Sequence, residues 1–277
     1  MPINRDAEAN ILYEKSFVAF LDVLGFKQMI KSSDLTQINQ YFGIVDSAIL
    51  YLKGLPSKKD INSIVISDSI ILSAPCNESN VDNLERLRQL CIAIGLIQQS
   101  LAIKGIWLRG AICYGDTHFD SINSQIVGPA YVEAYLLEEN LAINPRVILD
   151  SKLIPQLGYA NATELIDAVN GNDQGGLNYS NWGKRILFEW SDPIGNSVTK
   201  IPQDLPLFID YISPLLENND ISSIDRVLNN IQVSMYSNAQ VYSKYRWVMD
   251  YIKTIVNRLK LNDYELNDRL QFMLERL

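Results

Sequence analysis

The chain has 277 residues, of which 47% are hydrophobic and 20% charged, and its formal net charge is −8. These values suit a globular protein with one large domain, or with a core domain and an extension. The acidic balance argues against a general nucleic-acid binder, which needs a basic field to displace counterions. His118 is the only histidine, so a zinc site built from several histidines is excluded.

The sequence also indicates the cellular compartment of the protein. No window approaches the apolar run of about 18 residues that spans a bilayer, and the first residues lack the basic start and apolar core of a signal peptide. Cys76, Cys91 and Cys113 occur in apolar contexts without C-x-x-C spacing, which favours reduced core residues. We therefore expect a cytoplasmic protein with no membrane partner.

The first half of the core is predicted from apolar runs and helical periodicity. Residues 16–25 are a short apolar run with one acid, which favours a buried strand, and residues 35–52 have the spacing of an amphipathic helix. Residues 61–75 are β-branched on both sides of a polar break, which predicts a hairpin with Asp68 at or beside its turn.

A second helix, capped by Asn80 or Asp82, is predicted to follow the hairpin and to end near residue 104. After it come a strand, a turn-rich stretch that suits another hairpin and includes His118 in an exposed loop, a helix and a short strand, over residues 106–114, 115–123, 130–140 and 145–149.

The order of the first six elements, β-α-β-β-α-β, matches the ferredoxin-like split β-α-β arrangement, so the predicted fold is α+β with a mixed sheet. Beyond about residue 150 the pattern changes to one strand, residues 185–190, and a mostly helical tail. We predict a core of residues 1–150 and a mostly helical accessory extension of residues 151–277 packed on it. The Gly/Asn-rich residues 170–181 suit a surface loop or lid.

Two aspartates should meet in this topology. Asp22 ends an apolar strand, where a free carboxylate is costly unless a cation neutralises it. The end of the first strand and the hairpin after the second lie at one edge of a split β-α-β sheet, so Asp68 should approach Asp22. Mg²⁺ or Mn²⁺ would relieve their repulsion and leave positions for phosphate oxygens. Each aspartate taken alone also suits a helix cap or a turn.

Four segments, in order, resemble motifs of the class III nucleotide cyclases, the adenylate and guanylate cyclase family. They are FLDVLGF, SIVISDSIIL, LRGAICYG and VGPAYVEAYLLE, at residues 20–26, 63–72, 108–115 and 127–138. The resemblance covers about residues 16–150. It implies a two-metal site held by Asp22, Asp68 and the backbone carbonyl of Val23. It also implies attack of the ribose 3′-oxygen on the α-phosphorus, with pyrophosphate leaving.

The segment after Asp22 is the expected triphosphate site, because a glycine there allows backbone N–H groups to approach phosphate oxygens. Its members are Leu24, Gly25, Phe26 and Lys27.

The sequence departs from the family where the family reads the base and stabilises the transition state. The base-reading lysine or glutamate falls on Ile64, the transition-state asparagine on Val132 and the transition-state arginine on Leu136. The glycine before the hairpin aspartate is Ser67. The chain therefore differs from an ordinary adenylate or guanylate cyclase.

This combination of motifs resembles the pyrimidine cyclases of bacterial antiphage (Pycsar) systems, which make cyclic UMP or cyclic CMP for an effector encoded beside them. The resemblance implies UTP or CTP as substrate, two Mn²⁺ or Mg²⁺ ions per site, and a homodimer with sites at its interface. Arg109 matches an arginine important for activity in that family. Its mid-strand place among apolar residues is unusual for the alternative, a surface salt bridge.

Base contacts are predicted for four residues. Gln125 occupies a position where purine cyclases contact the base, and its amide can pair with a pyrimidine edge. Tyr51, like Tyr131, suits stacking on the base or narrowing the pocket, and Ile64 takes the base-reading position. All of them also suit ordinary packing.

Other functions remain open at this point. A purine cyclase with an unusual pocket and a catalytically inactive cyclase-like module that binds a nucleotide both fit the retained metal residues. A ferredoxin-like RNA-binding module is disfavoured by the acidic charge.

Overall fold

The computed structural model describes residues 11–32, 35–54, 61–171, 185–188, 207–237, 239–259 and 264–275. Within these ranges the chain has an α+β fold in which helices pack on a seven-stranded, mostly antiparallel sheet. The strands are β1 Glu14–Leu24, β2 Asn62–Ile66, β3 Ser69–Pro75, β4 Trp107–Asp120, β5 Gln125–Val127, β6 Val147–Leu149 and β7 Leu207–Phe208. The helices are α1 Phe26–Lys31, α2 Leu35–Gly54, α3 Asn80–Ile103, α4 Pro129–Asn140, α5 Leu153–Gln156, α6 Ala162–Gly171, α7 Ser213–Glu217, α8 Ile221–Ser237, α9 Tyr242–Leu259 and α10 Tyr264–Glu275.

The ferredoxin-like arrangement predicted for the core is confirmed by the strand order β2-β3-β1-β4. The central strand β1 pairs antiparallel with both β3 and β4, and β2 and β3 form the predicted hairpin. At the other edge, β6 adds parallel to β4 and β7 adds antiparallel to β6. The short strand β5 pairs antiparallel with the end of β4.

The two faces of the sheet support separate cores. Alternate residues of β1 point to opposite faces: Phe17, Ala19 and Leu21 join the larger core, which includes apolar residues of α2, α3 and α9. Val18 and Phe20 join a smaller core with the buried side of α4. Asp22 continues the row of Val18 and Phe20, at the point where that row leaves the smaller core.

The extension predicted beyond residue 150 contributes helices and one strand. β7, which the sequence pattern did not reveal, joins the sheet, and helices α8 and α9 contribute to the larger core. The predicted strand 185–190 is described only over residues 185–188, where an isolated bridge joins Leu187 to Ile209. All but the first two residues of the predicted lid, 170–181, lie outside the described residues. The division between residues 1–150 and 151–277 stays a prediction.

Two local predictions were wrong. Ser79, and not Asn80 or Asp82, caps α3: its hydroxyl oxygen accepts a hydrogen bond from the Asp82 N–H at 3.3 Å. The hairpin predicted for residues 115–123 is confirmed, because β4 and β5 pair antiparallel on either side of a turn at residues 121–124. The stretch is strand over most of its length and not turn, because β4 continues to Asp120, so the loop position predicted for His118 was wrong. His118 therefore lies in β4, with Nδ1 3.0 Å from the Leu12 carbonyl oxygen.

In the described part of the chain, no helix combines the length and the apolar character needed to cross a membrane.

Candidate active site

Asp22 and Asp68 are brought together at the end of β1. Asp22 lies opposite Ser69 of β3, the residue that follows Asp68. The backbone confirms this proximity, because the Val23 N–H donates a hydrogen bond of 3.1 Å to the Asp68 carbonyl oxygen. The β2–β3 turn places Ser67 at φ 59, a left-handed conformation in which glycine is usual. The structure thus places two carboxylates on neighbouring segments at one end of the sheet.

A basic residue and a third acid complete this end of the sheet. Arg109 of β4 is the cross-strand partner of Asp22, and its Nε lies 3.4 Å from Asp22 Oδ2 and 2.5 Å from Glu138 Oε1. The contact with Glu138 is an ion pair whose angle is not that of a hydrogen bond. Asp22, Arg109 and Glu138 are called the charge cluster below.

Glu138 was not among the residues singled out from the sequence. It lies on α4, and its side chain is only 4% exposed. The one available signal was its position as the last residue of the fourth cyclase-like motif. Its neighbour Glu139 is exposed on the same helix, so the sequence alone gives no reason to bury one and expose the other.

The two acids of the charge cluster are unfavourable in their ionised forms, and a bound cation would stabilise them. Burial raises the pKa of Asp22; the charge of Arg109 opposes this rise and the charge of Asp68 adds to it. Burial also raises the pKa of Glu138 to about 7, although Arg109 opposes that rise as well. Since a single guanidinium does not offset the desolvation of either acid, additional positive charge would stabilise the ionised site.

The residues present fit a hard divalent cation. The carboxylates of Asp22 and Asp68 and the backbone carbonyl of Val23 are oxygen donors, which Mg²⁺ and Mn²⁺ prefer. Tyr41 of α2 is fully buried, and its hydroxyl has no hydrogen-bond partner among the described residues. Burial raises the pKa of Tyr41, and the charges of Asp68 and Asp22 raise it further. A buried hydroxyl beside two acids suits a hydrogen bond to a water on a bound ion.

No group of three or more histidine, cysteine or acidic side chains that could hold a metal occurs among the described residues. An ion at Asp22 and Asp68 would therefore complete its coordination with backbone, water or phosphate oxygens. Mg²⁺ commonly binds in this way, through one or two carboxylates together with the phosphates of a substrate.

The predicted triphosphate segment begins where β1 ends. Gly25 has φ 81 and precedes α1, and an added Cβ would meet no atom within 4 Å, so conformation and not space favours glycine there. Phe26 is buried, with its ring 5.6 Å from that of Tyr41. Leu24 packs partly against the larger core, while Lys27 is exposed to solvent. The exposed backbone and Lys27 remain available to a ligand beside Asp22.

Within one chain, the predicted base contacts fall into three separate places, and only Ile64 and Tyr131 share one of them, the smaller core. Ile64 is buried in the smaller core, whereas Tyr51 packs against the larger core on the other face. Gln125 pairs with Asp120 at the far end of β4 from Arg109. At about 3.3 Å per strand residue, that separation is roughly 35 Å. The ring of Tyr131 packs near Phe20, at 6.1 Å.

The two positions at which the sequence resemblance implies transition-state residues are exposed on α4. Val132 is 51% exposed and Leu136 is 45% exposed. Neither side chain offers a polar group for phosphate.

Comparisons with known proteins find similarity only among solved structures. No protein-family model matches the sequence, and no curated protein matches it. The structure is similar to the adenylyl cyclase CyaB from P. aeruginosa, with 12% identity, a TM-score of 0.40, and coverage of 73% of this chain and 95% of that chain. It is similar to a bacterial light-regulated adenylyl cyclase, with 12% identity, a TM-score of 0.39, and coverage of 78% and 99%. It is also similar to the monomeric guanylyl cyclase domain of the RhoGC fusion protein from the aquatic fungus Blastocladiella emersonii, with 18% identity, a TM-score of 0.37, and coverage of 50% and 81%. The charged residues at this end of the sheet, Asp22, Asp68, Arg109 and Glu138, are the basis for a function of this chain.

Proposed function

We propose that this chain is a nucleotide cyclase that converts a pyrimidine nucleoside triphosphate, UTP or CTP, to the 3′,5′-cyclic monophosphate and pyrophosphate. The observation that carries the proposal is the meeting of Asp22 and Asp68 beside Arg109 at one end of the sheet. Two acids with oxygen ligands for Mn²⁺ or Mg²⁺, next to a guanidinium, are suited to hold a metal–triphosphate complex.

The residues of the site have separate roles in this reaction. Divalent ions would lower the pKa of the ribose hydroxyl and offset the charge that develops on the phosphates. Asp22 and Asp68 position those ions, with the backbone carbonyl of Val23. Gly25 and Lys27 receive the triphosphate at the exposed edge of the site. Arg109 binds phosphate oxygen, where a guanidinium supplies two parallel donors.

The protonation state of Glu138 determines how much of the positive charge of Arg109 is available to a phosphate group. The Glu138 carboxylate holds the guanidinium beside Asp22. The raised pKa of Glu138, about 7, means that the negative charge of this carboxylate is weakly favoured near neutral pH. Protonation of Glu138 would leave more of the charge of Arg109 for a phosphate group.

We also propose that the enzyme acts as a homodimer with its sites at the interface. Gln125 lies at the opposite end of β4 from Asp22, so a base contact from Gln125 requires a second copy of the chain. Val132 and Leu136, exposed apolar residues on the α4 side of the site, suit such an interface. Tyr51 and Ile64 then contribute to base selection through the shape of the pocket.

By its resemblance to the Pycsar cyclases, the product would be a second messenger in bacterial antiphage defence, acting on an effector in the cytoplasm. A catalytically inactive nucleotide-binding module is the second candidate. It is favoured by one specific observation, the apolar side chains of Val132 and Leu136 at positions where cyclases have polar transition-state contacts.

Mass spectrometry of the products from an equimolar pool of ATP, GTP, CTP and UTP with Mn²⁺ tests the proposal. We expect a cyclic pyrimidine nucleotide from the wild type and none from Asp22→Ala or Asp68→Ala. Asp46→Ala, which removes an exposed acid from α2, is the matched control and should retain activity. A cyclic purine product would refute the pyrimidine assignment, and tight nucleotide binding without any product would favour the inactive module.

A further inference from the structure

A lysine from the C-terminal extension lies within reach of the charge cluster. Lys244 is in the first turn of α9 and is partly buried. The next residue, Tyr245, packs its ring edge-to-face on Trp107 at 5.5 Å. Trp107 is in turn anchored to α8 by a hydrogen bond of 3.2 Å from its indole N–H to the Ser234 hydroxyl. Since Trp107 is two residues before Arg109 on β4, these contacts hold the start of α9 over the same end of the sheet.

Lys244 lies among two acids and a second cation, without a direct partner of its own in the described part of the chain. Among the described residues it forms no ion pair. Burial lowers its pKa, and the charge of Arg109 lowers it further, against the opposing effect of Asp22 and Glu138. Lys244 also lowers the pKa of both of those acids. The lysine therefore shares one electrostatic environment with the whole charge cluster.

This position is unfavourable for stability alone. A cation in the first turn of a helix opposes the helix dipole, whose positive end lies there. Partial burial adds a desolvation cost, and the neighbouring guanidinium repels the ammonium group. Asp22 and Glu138 offset part of this cost. When a divalent ion occupies Asp22, a highly charged anion between Lys244 and Arg109 would offset the rest.

We infer that Lys244 is a phosphate-binding residue of the active site, supplied by the C-terminal extension and acting with Arg109 on the substrate triphosphate. The inference rests on the proposed function. It assigns the extension a direct part in the site, because α9 would supply a second cation beside Arg109.

The test measures the binding of inorganic tripolyphosphate in the presence of Mg²⁺ by isothermal titration calorimetry, so that base recognition does not enter. We expect Lys244→Met to weaken this affinity at least tenfold, the usual effect of losing one charge-assisted contact, and Lys244→Arg to restore most of it. Arg246→Met is the matched control: it removes a charge from the same helix, where Arg246 is exposed and pairs with Asp250 at 3.4 Å. It should bind tripolyphosphate as the wild type does.

A second measurement separates phosphate binding from a structural role. Mn²⁺ alone, titrated by electron paramagnetic resonance, should bind Lys244→Met at least as tightly as the wild type, because the lost cation no longer repels it from Asp22. A variant that loses Mn²⁺ and tripolyphosphate affinity together would show that Lys244 only supports the fold, and would overturn the inference.

The remaining outcomes distinguish this inference from the proposed function. If the wild type binds tripolyphosphate and Lys244→Met binds it equally well or better, the role of Lys244 is refuted while the cyclase proposal stands. If the wild type binds neither Mn²⁺ nor tripolyphosphate, both fail.

Discussion

Glu138→Gln should make the protein more stable above neutral pH. The pKa of Glu138 is raised from its ordinary value of 4.5 to about 7, mainly by burial, with Arg109 and Lys244 opposing the rise and with Asp22 and Glu139 adding to it. The folded protein therefore binds this proton more tightly than the unfolded chain does. Between pH 4.5 and about 7, folding takes up a proton, so stability falls as the pH rises through this window.

The size of the effect follows from the two pKa values. Moving a carboxyl pKa from 4.5 to about 7 costs the ionised form about 3 kcal/mol. Most of this cost appears between pH 5 and pH 8, and glutamine, which has nearly the same shape and no charge, does not incur it. The free energy of unfolding of Glu138→Gln, relative to that of the wild type, should therefore increase by about 2 kcal/mol across this range.

Urea denaturation without divalent ions, at several pH values from 5 to 8, measures this difference. Glu139→Gln changes the exposed neighbour on the same helix and should show a nearly constant difference from the wild type. A difference for Glu138→Gln that does not change with pH, or a loss of stability at every pH, would refute the view that this carboxylate is buried at a net cost.

Three further substitutions test local parts of the structure by thermal or urea unfolding. Gly110→Ala should lose about 3 kcal/mol, because its Cβ would lie 2.5 Å from the Phe20 carbonyl oxygen in the neighbouring strand; a loss below about 1 kcal/mol would contradict that approach. Tyr251→Phe should lose about 2 kcal/mol, because its hydroxyl donates a hydrogen bond of 2.5 Å to the buried Asp210 carboxylate; unchanged stability would show that Asp210 does not need this donor. Gly25→Ala should lose about 1 kcal/mol through its left-handed φ of 81, and a gain in stability would refute the turn geometry.

The core of the fold could be predicted because its elements are long and regularly patterned. Residues 16–25 and 61–75 carry continuous apolar or β-branched runs, and the helix between them has clear amphipathic spacing. The split β-α-β order by itself predicts the approach of Asp22 and Asp68. The motif LRGAICYG has a glycine at position 110 because β1 approaches there too closely for a side chain.

β7 of the sheet, and Glu138 and Lys244 of the site, could not be predicted, because their positions depend on tertiary packing. In the described part of the chain, β7 consists of Leu207 and Phe208, which are too few for a periodic signal. Glu138 is one of two consecutive glutamates near the end of a helix, and only packing against β4 decides which of them is buried. Lys244 lies far from the cyclase-like motifs in the sequence. Its helix has the spacing of apolar residues that indicates one buried face, and this spacing gives no sign of a site.

The central claim, that Asp22 and Asp68 jointly hold divalent ions for a triphosphate, is tested most directly by Mn²⁺ titration followed by electron paramagnetic resonance, with and without UTP. We expect Mn²⁺ binding that becomes tighter when UTP is present, and a loss of at least tenfold in affinity in both Asp22→Asn and Asp68→Asn, with Asp46→Asn unchanged. Mn²⁺ affinity that survives either substitution, or that does not respond to UTP, would contradict the account.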